Sequence, residues 1–343
     1  MQHYNQPPVI LNRNNITIVG ILRTYSQSKE TLFVKCLYRE FLYREPDQAG
    51  FQGFVNFLMA GESRFSVLIA ILTSEESISI LGSSSPTWKK HFENIVSCII
   101  PSFNQVALVK QCLKSLKATT TQISYEIIDV DDGSKPQIQR QLFDWGEEEN
   151  VEIILKKSNE GFSCTVNQGI KQAKGKYVLL INNDIIFSEP EWLGKMIHTM
   201  QSSSEIGVVG ARLLYPDQTI QHGGMSSDFF HRYVGLPAEY SPALVVEEVQ
   251  AVTGALFLIY QDVIADLGHF SEDYFTAYED VEFCLRARLK GWKVIYCGQA
   301  AAIHLEGKTR GGHQKNPFYM QKNFEAFKKF EMKWSGYYNI LKS

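Results

Sequence analysis

Asn182, Asn183 and Asp184 close an unbroken apolar run, Tyr177-Val178-Leu179-Leu180-Ile181. Their oxygen acceptors and amide donors suit a hard divalent cation carrying a phosphate. The same residue types equally suit a turn, because Asn and Asp bond their own backbone there. Three more polar clusters follow apolar runs: Pro101-Ser102-Phe103-Asn104, Asp131-Asp132-Gly133-Ser134 and Asn159-Glu160-Gly161-Phe162. Ligands of open α/β sheets gather beyond the carboxyl ends of the strands, so four such endings on one side of one sheet converge. That convergence moves Asp184 from turn toward site.

The elements that must position these clusters alternate along the chain. Ile95 to Ile100, Tyr125 to Val130, Val151 to Leu155 and Tyr177 to Ile181 read as strands, and Val106 to Leu116, Ile138 to Trp145 and Cys164 to Ala173 as amphipathic helices between them. This is the pattern of a mainly parallel, helix-covered α/β sheet. Beyond it, Ile206 to Leu214 and Val249 to Ile259 are strand candidates, followed by a helix from Glu279 to Lys290 and a strand from Lys293 to Tyr296. No G-x-G-x-x-G or Walker-type loop follows the first strand, which argues against a dinucleotide dehydrogenase or a P-loop enzyme.

Residues 1 to about 90 have a different texture. Thr31 to Tyr43, Phe51 to Met59 and Phe65 to Leu72 place apolar residues at helical spacing, and Gly82-Ser83-Ser84-Ser85-Pro86 reads as a linker. The expected organisation is a small all-helical module over 1–90 and an α/β domain over 91–343.

At 343 residues and a net charge of −3 without long blocks of one sign, nothing in the chain suggests a nucleic-acid-binding surface as its main business. Its six scattered cysteines form no C-x-x-C pair, as expected of free thiols in a reducing compartment. The polar N-terminus lacks a secretory signal, and no apolar stretch reaches membrane-spanning length. A cytoplasmic protein is expected, and a peripheral membrane contact stays open.

The four clusters, taken in order with Tyr278-Glu279-Asp280 after them, resemble the family 2 inverting glycosyltransferases, and within them the rhamnosyltransferase-like bacterial subgroup, over about residues 94 to 334. The resemblance implies a GT-A type nucleotide-sugar-binding fold. It implies that Pro101, Phe103, Asn104 and Asp132 hold the nucleoside, that Asn159, Gly161 and, more weakly, Asn167 border it, and that Asn183 faces sugar or ribose. Asp184 matches the last acid of the family's metal motif, whose earlier acid is Asn182 here, and His304 matches a late histidine that completes the site for Mn2+ or Mg2+. A nitrogen ligand favours Mn2+.

Inverting transfer needs one base for the acceptor hydroxyl. The resemblance puts it at Asp280 beside Glu279, although acids in a helix's first turn are also favoured by the helix dipole. Glu282 and Arg286 have the spacing of an i,i+4 surface pair. Thr253-Gly254-Ala255 and His222-Gly223-Gly224 resemble segments lining the donor and acceptor pocket, and Lys308 to His313 a loop closing over the diphosphate. The segment from Leu37 to Asp47, with Gly50 and Ser74-Glu75-Glu76, is similar to the domain of unknown function 4214, a candidate surface for partners or a homo-oligomer.

The function expected from this resemblance is single-sugar transfer from a UDP- or dTDP-sugar to a hydroxyl of a glycan, glycoprotein or lipid-linked acceptor. The alternatives are a catalytically impaired carbohydrate- or partner-binding module, for which Asn182 speaks, and a sugar nucleotidyltransferase. The latter would want a Gly-rich basic loop after the first strand, which Pro101 to Val106 is not.

Overall fold

The computed structural model describes residues 30–38, 46–60, 63–72, 96–120, 123–306 and 316–336. The chain divides into two compact units, residues 1–93 and 94–343. In the first, helices α1 (Glu30–Leu37), α2 (Gln48–Met59) and α3 (Arg64–Leu72) bury Phe33, Val34, Leu37, Val55, Leu58, Val67, Leu68 and Ile71. Asp47 caps α2 by accepting the Gly50 N–H at 2.8 Å, which satisfies one donor that the first turn leaves open. The motif residues at 39–45 and 74–76, and the linker expected at 82–86, lie outside the described residues.

The second unit is built on one sheet. Its strands are β1 (Val96–Ser102), β2 (Tyr125–Asp131), β3 (Glu152–Leu155), β4 (Tyr177–Ile181), β5 (Ile185–Ile186), β6 (Ile206–Leu214), β7 (Ile220–His222), β8 (Val246–Glu248), β9 (Leu256–Tyr260) and β10 (Lys293–His304). The main order is β3-β2-β1-β4-β9-β6-β10-β5, with β7 on β6 and β8 on β10. β1, β2, β3 and β4 pair in parallel. β9 runs antiparallel to both β4 and β6, so β6 and its parallel neighbour β10 point the same way as the first four.

The continuous apolar character of β4 has a plain cause. Tyr177, Leu179 and Ile181 face one core, and Val178 and Leu180 face the other. A strand covered on both sides has no solvent face to keep polar. The first core is completed by α4 (Val106–Thr119), α5 (Pro136–Glu149) and α7 (Trp192–Gln201). The second is completed by α6 (Phe162–Gln172), α8 (Gln261–Leu267), α9 (Glu279–Leu289) and α10 (Pro317–Trp334).

Two expected strands differ. Val249 to Ile259 is not one strand, because the backbone of 251–254 bonds sideways: Ala251 C=O accepts the Met225 N–H and the Gly254 N–H goes to Asp280. Only from Leu256 does the ladder begin. Conversely, the strand expected from Lys293 to Tyr296 runs on to His304 through a register shift between Cys297 and Ala301. There Gly298 is required, since a Cβ would sit 2.1 Å from the Ala243 carbonyl oxygen.

Candidate active site

Beyond the carboxyl ends of β1, β2 and β4 lies a cleft lined by Pro101, Phe103, Asp132, Asn159, Gly161, Asn183 and Asp184, with Tyr319 of α10 on the far side. A second cavity of about 510 Å³ adjoins it, with Thr253, Gly254, Glu279, Asp280, Phe230 and Gln221 in its walls. Phe162, Asn182 and His304 belong to both. Sequence-distant clusters thus meet, because parallel strands end on one side.

At the junction, His304 Nε2 stands 3.1 Å from Asp184 Oδ1, and the Asn182 amide nitrogen 3.4 Å from the same Nε2. On the other side of the ring, Nδ1 is 2.7 Å from Gln221 Oε1. With the Nδ1 proton donated to Gln221, Nε2 of the neutral ring turns a lone pair toward a carboxylate oxygen. Two such acceptors repel unless a cation or a proton lies between them. Two ligands about 2.1 Å from one ion, in neighbouring octahedral positions, stand about 3.0 Å apart, so the pair fits a divalent metal. Among the described residues no group of three or more His, Cys, Asp or Glu is placed to hold a metal ion. Such an ion would draw its remaining ligands from amide oxygen, water and a bound diphosphate.

On the side of the cleft around Asp132 the polar groups form a network. Asp132 is 6% exposed and accepts Lys156 Nζ at 2.7 Å, the Glu160 N–H at 2.9 Å and the Gly161 N–H at 3.0 Å. Its carboxylate therefore fixes the 159–161 loop as well as lining the cleft. Burial pulls the Lys156 ammonium down, but hydrogen bonds to Asp132 and Glu160 outweigh it and hold the pKa above its ordinary value. Asp131 supports the turn that follows it, accepting the Ser134 N–H at 2.9 Å, the Ser134 hydroxyl, and Gln139 Nε2 at 2.7 Å. Asn159 Oδ1 is buried without a partner at the cleft, an acceptor open to a ligand N–H or O–H.

Across the second cavity, Asp280 Oδ2 accepts the Gly254 N–H at 2.8 Å and Oδ1 the Val281 N–H at 2.8 Å. Ala277 and Tyr278 before it hold φ of 67° and 68°, a left-handed pair costly for residues with a Cβ and characteristic of sites held in place by their surroundings. Glu282 is not a surface acid. It is fully buried, paired with Arg286 Nε at 2.8 Å and with Lys333 Nζ of α10 at 2.7 Å. It therefore ties α9 to the helix that carries Tyr319.

The chain is similar to known proteins. Residues 97–259 match the model of glycosyl transferase family 2, and residues 21–80 the domain of unknown function DUF4214. The larger unit carries a family 2 glycosyltransferase domain. Among relatives, the O-antigen biosynthesis protein RfbC of Myxococcus xanthus is 28% identical over 63% of this chain and 18% of its own length. Glycosyltransferase AglE of Haloferax volcanii is 26% identical over 61% of this chain and 66% of its own. The chain thus spans less than two thirds of each. A crystal structure of GalNAc-T7 with UDP, GalNAc and Mn2+ has a TM-score of 0.53 at 17% identity, covering 62% of this chain and 45% of that one. The fold is of the GT-A type.

The family 2 domain does not bring every expected residue to the clefts. Asn167 is a tie: Nδ2 donates to Phe270 O at 2.9 Å and Glu272 Oε1 at 3.0 Å, and Oδ1 accepts the Phe270 N–H at 3.0 Å. Asn104 shapes its turn with φ 55°, its side chain accepting the Lys135 N–H at 3.1 Å. His222 lies fully buried behind Thr253, whose N–H reaches Nε2 at 3.3 Å. Burial, then His231, Arg232 and His304, push its pKa well below the ordinary value, so it is neutral. Lys156, Gln221 and Tyr319 carry no motif and were found only by the geometry. Lys308 to His313 lie outside the described residues.

Proposed function

We propose that the family 2 domain is a metal-dependent, inverting, non-processive glycosyltransferase. It moves a sugar from a UDP- or dTDP-type donor to a hydroxyl of a glycan, glycoprotein or lipid-linked acceptor in polysaccharide or glycoconjugate synthesis. The observation that carries this reading is the Asp184–His304 pair standing where the two cavities meet, with Asp280 in the wall of the second. Pro101, Phe103, Asp132, Asn159 and Gly161 would hold the nucleoside, and Asn183 the ribose or sugar.

Asp184 and His304 would hold a Mn2+ or Mg2+ ion, which when bound stabilises negative charge on the departing diphosphate. Asp280 takes the proton of the acceptor hydroxyl while that oxygen bonds to the anomeric carbon and the bond from that carbon to the donor phosphate breaks. The Gly254 N–H bond holds the carboxylate in place for this. Glu279 is the neighbouring acid in the same wall. Among the described residues no helix is long and apolar enough to cross a membrane, and we place the reaction in the cytoplasm, where nucleotide sugars would be available.

Incubation with a panel of UDP-, dTDP- and GDP-sugars plus Mn2+ tests the reading. Slow donor hydrolysis that is lost in Asp184→Ala is expected. Absence of any nucleotide binding would overturn it in favour of a non-catalytic module.

A further inference from the structure

We infer that Gln221 is a positioning residue for the metal and diphosphate site, acting by fixing the tautomer of His304. This rests on the metal-dependent reading above. Gln221 is 5% exposed and closes β7 together with His222, the residue that sequence singles out in this stretch. Its two amide ends are distinguishable by their partners. Nε2 stands 3.1 Å from Glu306 Oε2 and 3.4 Å from the His304 carbonyl oxygen, both pure acceptors. The NH2 end must therefore point there, which leaves Oε1 facing His304 Nδ1 at 2.7 Å. An amide oxygen only accepts, so Nδ1 carries a proton, and in the neutral ring Nε2 carries the lone pair.

Glu306, Gln221 and His304 thus form a chain that ends with Nε2 presented toward Asp184 Oδ1. Imidazole ligands characteristically donate their second N–H to such a partner, which sets ring orientation, and loss of the partner weakens metal binding by about 10–100-fold. Gln221 also lines the second cavity, and through His304 Nδ1 its amide would support the ion-binding pair without being a ligand itself.

Two variants of the full chain separate the possibilities. Gln221→Met keeps the volume and removes the acceptor, and Gln221→Glu, made together with Glu306→Gln so that no two carboxylates face each other, keeps an acceptor for Nδ1–H. In the metal-free protein, 15N NMR of the His304 ring is expected to show the Nδ1–H tautomer in wild type and the double variant, and a mixture or the Nε2–H form in Gln221→Met. Mn2+ titration of the UDP complex by EPR is expected to show at least tenfold weaker binding in Gln221→Met, largely restored in the double variant, with metal-independent UDP binding and melting temperature nearly unchanged. An Nε2–H tautomer in wild type, or Gln221→Met with unchanged tautomer and Mn2+ affinity, would overturn the inference. Should wild type show the Nδ1–H tautomer yet bind no Mn2+ with UDP, the metal-dependent reading fails and the inference falls with it, while the NMR result shows which of the two was at fault.

Discussion

Asp280 and Gly254 are joined by a hydrogen bond of 2.8 Å from the glycine N–H to the carboxylate Oδ2, although 26 residues separate them in sequence. The bond fixes the acid against the wall of the second cavity at the first turn of α9. An amide oxygen can accept the same N–H while its NH2 end gives up the bond from the Val281 N–H, so Asp280→Asn is expected to keep the tie to the loop while removing the proposed base. Turnover should fall by roughly 10²–10⁴-fold with donor affinity nearly unchanged, measured by initial rates and by calorimetric titration of the nucleotide. A variant that retains transfer would move the role to Glu279.

Gly161 holds φ 91°, and a Cβ there would meet the Phe275 carbonyl oxygen at 2.3 Å. The Phe162 N–H also bonds to that carbonyl at 2.9 Å, so the clash cannot be relieved without breaking the contact between two cleft loops. Gly161→Ala is expected to cost roughly 2–4 kcal/mol from backbone strain and overpacking together. Urea unfolding measures the loss, and nucleotide affinity should fall with it. A variant as stable as wild type would show that the two loops separate easily.

Asp129 lies fully buried on β2, with Ser102 Oγ donating to Oδ1 at 2.9 Å and Oδ2 without a partner. Burial pushes its pKa up to about 8, partly offset by the Ser102 bond and reinforced by Asp131. The folded protein then keeps a proton that the unfolded chain releases near its ordinary value of about 3.9. Stability contributed at this position is therefore present at low pH and falls as pH climbs from about 4 toward 8. Asp129→Asn should remove that slope. Relative to wild type its advantage should grow by on the order of 3 kcal/mol between pH 5 and pH 8, read from urea unfolding at both values. An advantage independent of pH would place the proton elsewhere.

How far the chain could be read follows from where each residue's partners lie. β4 and the Asn182-Asn183-Asp184 ending were legible because a strand covered on both faces must be apolar throughout and must stop where it meets solvent or ligand. The parallel first half was legible for the same reason. Lys156 was not, since its meaning comes from Asp132, 24 residues earlier. Nor was Gln221, whose partner His304 is 83 residues away. The Glu282–Arg286 pair was visible from its spacing, but spacing does not report burial, and Lys333 reaches Glu282 from 51 residues on. Asn167 has a site residue's chemistry, yet its whole amide is consumed by the 270–272 loop.

Phe162, Asn182 and His304 form a partition with one face in each cavity. A replacement there alters both chambers at once, whereas one at Tyr319 or Phe230 touches a single chamber. Selectivity on the two sides is thus inherited through common side chains. A lineage changing one preference through the partition must carry the other along, and independent change is open only at the outer walls.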